Sequence, residues 1–161
     1  MVRWRMPMPS TYQRSSEEWR HFLEDVKELM NLDSNNMAYT AVDAVMQVFR
    51  KRLTAQQGLD FASALPTVLR AIFVKDWTVL PTPASFPDRA ELIREVRAIR
   101  PNHNLTPDNA IEAVALAVRR YVDPLEFERT LAALPTEAQA YWATDFAGHS
   151  PGERHTQSFA D

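Results

Sequence analysis

Four histidines are the first residues to weigh, because general acid–base and metal chemistry draw on them most often. His21 falls within a helical pattern, His103 between two such patterns, and His149 and His155 in a polar C-terminal stretch. A metal site needs three or four converging ligands, commonly with a pair at helical spacing. His21 has Glu17, Glu24 and Asp25 near it but no second histidine three or four residues away. A structural or surface role is expected for it. The run Asp33-Ser34-Asn35-Asn36 starts like a calcium loop, but Ala38 stands where the turn glycine is required and Ala44 where the bidentate glutamate is required. Nucleotide-binding turns need several glycines so that backbone can approach phosphate. The chain has only Gly58, Gly148 and Gly152. There is no cysteine, which excludes disulfides, thiol nucleophiles and thiolate metal sites together. The carboxylate pairs Glu24/Glu28 and Glu126/Glu128 fall on faces expected to be solvated, and no Ser/His/Asp set stands out. No catalytic residue, cofactor or metal is assigned, and enzyme activity is disfavoured.

Two groups of side chains could instead make a binding surface. Trp77 and Phe86 flank a proline-rich stretch, and Trp142 ends the last helical pattern. Core packing is the favoured role for these rings, and an exposed aromatic partner surface is the sharper possibility. Arg94, Arg97 and Arg100, spaced by three, with Arg3, Arg5 and Arg14, could contact phosphates. Glu91 and Glu95 interleave on the same segment, so a solvated face is favoured. Arg50-Lys51-Arg52 and Arg119-Arg120 end helical patterns, where cations offset the helix dipole without needing a partner. The preferred function is therefore a non-catalytic module that binds a protein partner or self-associates. Nucleic-acid binding is the alternative.

The elements that would carry these residues follow from period and caps. One helix runs from about Ser16 to Met30, with Ser15 and Glu18 at capping-box spacing. Asp33 or Ser34 caps a second, running to about Arg52, and Thr54 with Gln57 opens a third. Pro66 interrupts that helix and is expected to bend it. Residues 76–87 hold three prolines and read as a linker. Asp88 with Glu91 caps the fourth helix, Thr106-Pro107 opens the fifth, and Asp123-Pro124 opens the sixth, which Pro135 interrupts in turn.

Shifting the chain by 69 residues lays Ala64-Leu65-Pro66-Thr67 on Ala133-Leu134-Pro135-Thr136. The same shift lays Val42, Val45, Met46, Phe49 and Leu53 on Ile111, Val114, Ala115, Val118 and Val122. One residue of slippage then aligns Phe22, Leu23, Val26 and Leu29 with Leu92, Ile93, Val96 and Ile99. Generic amphipathic helices match apolar positions by chance, but not a proline interruption with the same flanking residues at the same offset. The expected fold is all-α, an orthogonal six-helix bundle of two pseudo-symmetric three-helix repeats. Repeat one spans 15–75 and repeat two 88–146, with flexible tails at 1–14 and 147–161. His21, Trp77 and the Arg94 face have no counterpart in the other repeat, which makes them the first places to look for a specific role.

The two interruptions Leu65-Pro66 and Leu134-Pro135, with the stretch RLTAQQGLDFASALPTVLRAIF at 52–73, resemble the bacterial family called domain of unknown function 2267. The resemblance covers about residues 17–145. It implies the fold and the repeat, and no activity.

Composition sets the remaining bounds. A chain of 161 residues with 45% hydrophobic and 24% charged side chains can bury roughly 70% of its unfolded surface and needs no staples. Net charge is −3, with 7 basic and 9 acidic side chains in residues 16–77 and 7 and 10 in residues 88–146. Neither half has the charge of a nucleic-acid module. The opening MVRWRMPMPS is basic, no apolar run has signal-peptide or membrane-span length, and Asn104-Leu105-Thr106 is a sequon without a secretory context. A soluble cytoplasmic protein is expected, with no membrane contact.

Overall fold

The computed structural model describes residues 9–100 and 106–144, and among these the only regular elements are helices. They are α1 (Ser10–Gln13), α2 (Ser15–Met30), α3 (Asn35–Arg50), α4 (Ala55–Ser63), α5 (Thr67–Val74), α6 (Arg89–Ala98), α7 (Ala110–Arg119), α8 (Pro124–Ala132) and α9 (Thr136–Trp142). The all-helical bundle expected from the sequence is the fold found. His103, His149 and His155, the sequon at 104–106 save for Thr106, and the tail from 147 onward lie outside the described residues.

Helix starts follow local chemistry at four places. Ser34 accepts from the Met37 amide. Thr54 and Gln57 complete a reciprocal capping box, Asp88 accepts from the Glu91 amide, and Asp123 accepts from Leu125 and Glu126 with Pro124 in the first turn. α2 ends in an αL residue, Asn31 at φ 54°, where the amides of Asn31 and Leu32 return to the carbonyls of Glu28 and Lys27.

Four expectations need correction. Ser15 does not cap α2: its Oγ donates to the Tyr12 carbonyl, because α1 delivers the chain to Arg14 already turning (φ −97°, ψ 6°). Part of the expected flexible tail is thus helical. α7 begins at Ala110 rather than at Thr106-Pro107, and Asn109 Nδ2 spends its donor on the Leu29 carbonyl at the end of α2. The two prolines break their helices rather than bend them. Pro66 (ψ 156°) and Pro135 (ψ 152°) leave the helical region altogether and become the N-caps of α5 and α9. A broken helix exposes carbonyls at its end, and these are taken up locally. Arg70 Nη2 donates to the Leu65 carbonyl at 3.1 Å, and Gln139 Nε2 donates to the Leu134 carbonyl at 3.1 Å.

α3 and α7 form the centre. α3 buries Ala38, Ala41, Ala44 and Val48 as well as the expected stripe, and α7 buries residues on most of its circumference. A helix that is apolar nearly all round belongs in a core, and alanine at several positions lets neighbours approach closely. Packing is reciprocal: α2 lies on α7 as α6 lies on α3, while α3 meets α7 and α4 meets α8.

Candidate functional site

Phe49, fully buried on α3, is the hub of an aromatic cluster. Tyr141 stacks on it at 5.0 Å, Phe61 packs at 4.9 Å, and Trp142 meets it edge-on at 5.4 Å. Trp142 is 0% exposed, so it is a core ring and offers no surface to a partner. Phe86 is half-buried and reaches the same hub at 6.5 Å. Tyr141 is also buried. Its hydroxyl donates to the Val45 carbonyl at 2.7 Å, and desolvation holds its pKa far above the ordinary phenol value, with Arg89 and Arg52 pulling the other way.

Trp77 is half-buried, and its seat explains Gly58. A Cβ on residue 58 would lie 2.1 Å from Cη2 and 2.3 Å from Cζ3 of the indole, so the ring rests directly on the α4 backbone. Asp76, at φ 52°, makes the turn that brings Trp77 there. The ring is held against Phe73 at 5.7 Å and below the Arg50 guanidinium at 5.9 Å. Its indole N–H is buried without a hydrogen-bond partner among the described residues.

The arginines that end helices are tied down rather than solvated. Arg50 Nη1 donates to the carbonyls of Phe73 (2.9 Å) and Lys75 (2.8 Å), closing the C-terminus of α5. Burial lowers its pKa, against the pull of Asp43 and Asp76. Arg119 donates to the Trp142 carbonyl at the end of α9 through Nη2 (3.0 Å) and Nε (3.3 Å), and pairs with Glu128. Both contacts satisfy orphan carbonyls with a charged donor from another helix. Arg52 binds Glu95 at 2.5 Å and the carbonyls of Val48 and Ser85. Apart from Val48, one turn back on α3, and Glu128, nine residues on, these partners are more than twenty residues away in sequence, so no local pattern announces them.

The connection between α5 and α6 is partly clamped. Arg52 holds Ser85, the Ala84 amide donates to the Lys51 carbonyl, and Phe86 lies below Arg52. Its beginning is different. Val74, Val79 and Leu80 are 40%, 39% and 41% exposed. The backbone groups of residues 78–80 make no hydrogen bond among the described residues.

Two of the three proposed phosphate contacts are engaged with acids. Arg94 pairs with Glu91 at 2.6 Å, Arg97 pairs with Asp108 at 2.7 Å, and Arg100 is exposed. His21 is exposed, 3.8 Å from Glu17. No group of three or more His, Asp or Glu side chains among the described residues could hold a metal. The sequence did not single out a cleft of about 610 Å³ lined by Arg14, Glu17, Glu18, His21 and Tyr121. Behind it, Tyr121 donates to Asp25 at 2.6 Å. Tyr121 is pushed up to about 12 by desolvation and by that hydrogen bond.

Residues 19–141 match the family described as "Uncharacterized conserved protein (DUF2267)". The chain belongs to this family. The resemblance read from the proline interruptions is thus shown over the described helices from α2 to α9. No curated protein matches the chain. DUF2267 membership brings no site residues with it, so a role for this chain has to be argued from its own surface. No helix among the described residues is long and apolar enough to cross a membrane.

Proposed function

We propose that the chain is a non-catalytic helical module that contacts another protein, or a second copy of itself, through the edge running from the end of α5 to Leu80. The observation that carries this reading is the exposed trio Val74, Val79 and Leu80, with the backbone donors and acceptors of residues 78–80 unused among the described residues. Apolar side chains grouped on a surface favour burial in an interface, and open backbone groups can pair with an incoming extended segment. The edge lies beside Trp77, so the linker tryptophan serves as the support of the surface rather than its anchor. Self-association is the form to test first. Sedimentation over a range of concentrations is compared for the native chain and the Val79→Asp/Leu80→Asp variant. The expected result is association in the native chain, weakened at least about tenfold in the variant, since two apolar side chains leave the interface. Equal behaviour of the two, together with an unchanged set of co-purifying proteins, overturns the reading. The engagement of Arg94 and Arg97 with acids gives no support to the nucleic-acid alternative.

A further inference from the structure

The two halves of the bundle each place a ring beneath an arginine, but they draw that ring from different sources. In the second half, Phe127 of α8 lies 5.2 Å from the Arg119 guanidinium and 6.3 Å from Trp142. By the 69-residue offset, Phe127, Arg119 and Trp142 correspond to Gly58, Arg50 and Phe73. Position 58 has no side chain to offer. Trp77 supplies the ring instead, 5.9 Å from Arg50 and 5.7 Å from Phe73, resting on the Gly58 backbone. A ring carried by a helix leaves its place only when the helix does. A ring carried by a connection can leave alone.

The connection that carries Trp77 has its two ends fixed at one point, the end of α3. Arg50 Nη1 donates to the Lys75 carbonyl at 2.8 Å. The Ala84 amide donates to the Lys51 carbonyl at 3.0 Å, and Arg52 Nε donates to the Ser85 carbonyl at 2.9 Å. Between these pins, residues 76–83 make an excursion whose ends lie together, as in an Ω-loop. Its one hydrogen bond among the described residues runs from the Trp77 amide to the Val74 carbonyl, at 3.3 Å. Of residues 76–82, all but Trp77 are exposed. Seating the ring also carries local costs. Asp76 takes a left-handed conformation at φ 52°, and the indole N–H is buried without a hydrogen-bond partner among the described residues. One side chain holds the excursion down, against two penalties.

We propose that residues 76–83 are a strap that leaves its seat while the bundle stays folded, with Trp77 as the latch. Opening uncovers the ring-shaped seat between Gly58, Phe73 and Arg50, and it breaks up the edge formed by Val74, Val79 and Leu80. The latch thereby switches that edge, a consequence that rests on the binding role proposed for it above. The opening itself does not.

A second indole in the chain provides the reference. The Trp142 N–H is likewise buried without a partner among the described residues, but at the centre of the core. Hydrogen exchange of the two indole N–H groups is followed by NMR in increasing urea, at a dilution where sedimentation shows a single species. Trp77 is expected to exchange at least about tenfold faster than Trp142, with a much smaller urea dependence, because a local opening exposes little surface. Trp142 should follow unfolding of the whole bundle. Asp76→Pro fixes φ near about −65° and so forbids the turn that seats the latch. Lys75 is already extended (φ −61°, ψ 128°), as a residue before proline must be. In that variant Trp77 should lose its protection, while Trp142 stays protected, lowered by about the factor that Trp77 has lost. The two indoles exchanging together with one urea dependence overturns the proposal. So does an Asp76→Pro chain in which both lose protection, or in which Trp77 keeps it. Exchange reads the latch alone, so the edge and its sedimentation test stand or fall separately.

Discussion

Gly58→Ala sets two well-known effects against each other at one atom. Alanine is favoured over glycine inside a helix by about 1 kcal/mol. Its methyl, however, would stand 2.1 and 2.3 Å from two carbons of the Trp77 ring, where ordinary contact begins near 3.4 Å. Trp77 is a rigid ring seated on the α4 backbone, pinned by Phe73 on one side and Arg50 above, and delivered by the left-handed turn at Asp76. Relief therefore requires the ring to lift by more than an ångström or α4 to shift, and overpacking of this kind costs about 1–3 kcal/mol. The net expectation is a loss of up to about 2 kcal/mol in the native background. In a Trp77→Ala background the clash is absent, and the same substitution should stabilise the fold by about 1 kcal/mol. Urea unfolding followed by far-ultraviolet circular dichroism gives all four corners of the cycle, with a signal that reports helix rather than indole. A coupling of about 1–3 kcal/mol is expected. If alanine at 58 stabilises both backgrounds equally, the tryptophan is not seated over α4 and the account of the connection fails.

Other outcomes follow from the same contacts. Arg50→Met strands the buried carbonyl of Phe73 and the part-buried one of Lys75 and should cost about 2–4 kcal/mol, whereas Arg119→Met, at a more exposed helix end, should cost less. Urea midpoints rank them, and the reverse order contradicts the burial argument. Tyr121 carries a pKa raised to about 12 against 10.0 for the free phenol, so its contribution is complete below pH 10. It falls as pH climbs from about 10 to 12, because the unfolded phenol ionises first. Tyr121→Phe should flatten that part of the alkaline stability profile, with buried Tyr141 still acting in the same direction. Gel retardation with DNA or RNA at low salt should show no shift, and a shift abolished by Arg94→Ala/Arg100→Ala would restore the nucleic-acid reading.

What the sequence made legible was what neighbours in sequence decide. Ser34, Thr54, Asp88 and Asp123 cap their helices as their side chains and spacing require, and Pro66 and Pro135 end helices because proline has no amide to give. Ser15 failed because α1 reached it first, and Thr106-Pro107 because α7 starts only at Ala110, after Asn109 has given its donor to a carbonyl of α2. Trp142 could be ranked as core or surface only by asking what covers it, and its cover comes from α3, α4 and α8. The arginine contacts were missed for a different reason. A cation at the end of α3 has an adequate local explanation in the helix dipole, and nothing local reveals that the end of α5 has been brought within reach. The cleft beside Tyr121 has no sequence signature at all. It exists because the chain enters α2 as a helix and enters α6 as an irregular crossing.

Reciprocal packing has a consequence for synthesis. α2 and α3 leave the ribosome well before α6 and α7, yet α3 is covered on two sides by those later helices. Until they arrive, the wide apolar face of α3 is only partly sheltered by α2 and α5, and Lys51, Arg52 and Asp25 wait without their partners. A half-made chain is thus adhesive, and two nascent chains close together on one message could complete each other in trans. The short clamped connection between α5 and α6 acts against that exchange, because it holds the later helices next to the earlier ones at a concentration no neighbouring chain can match.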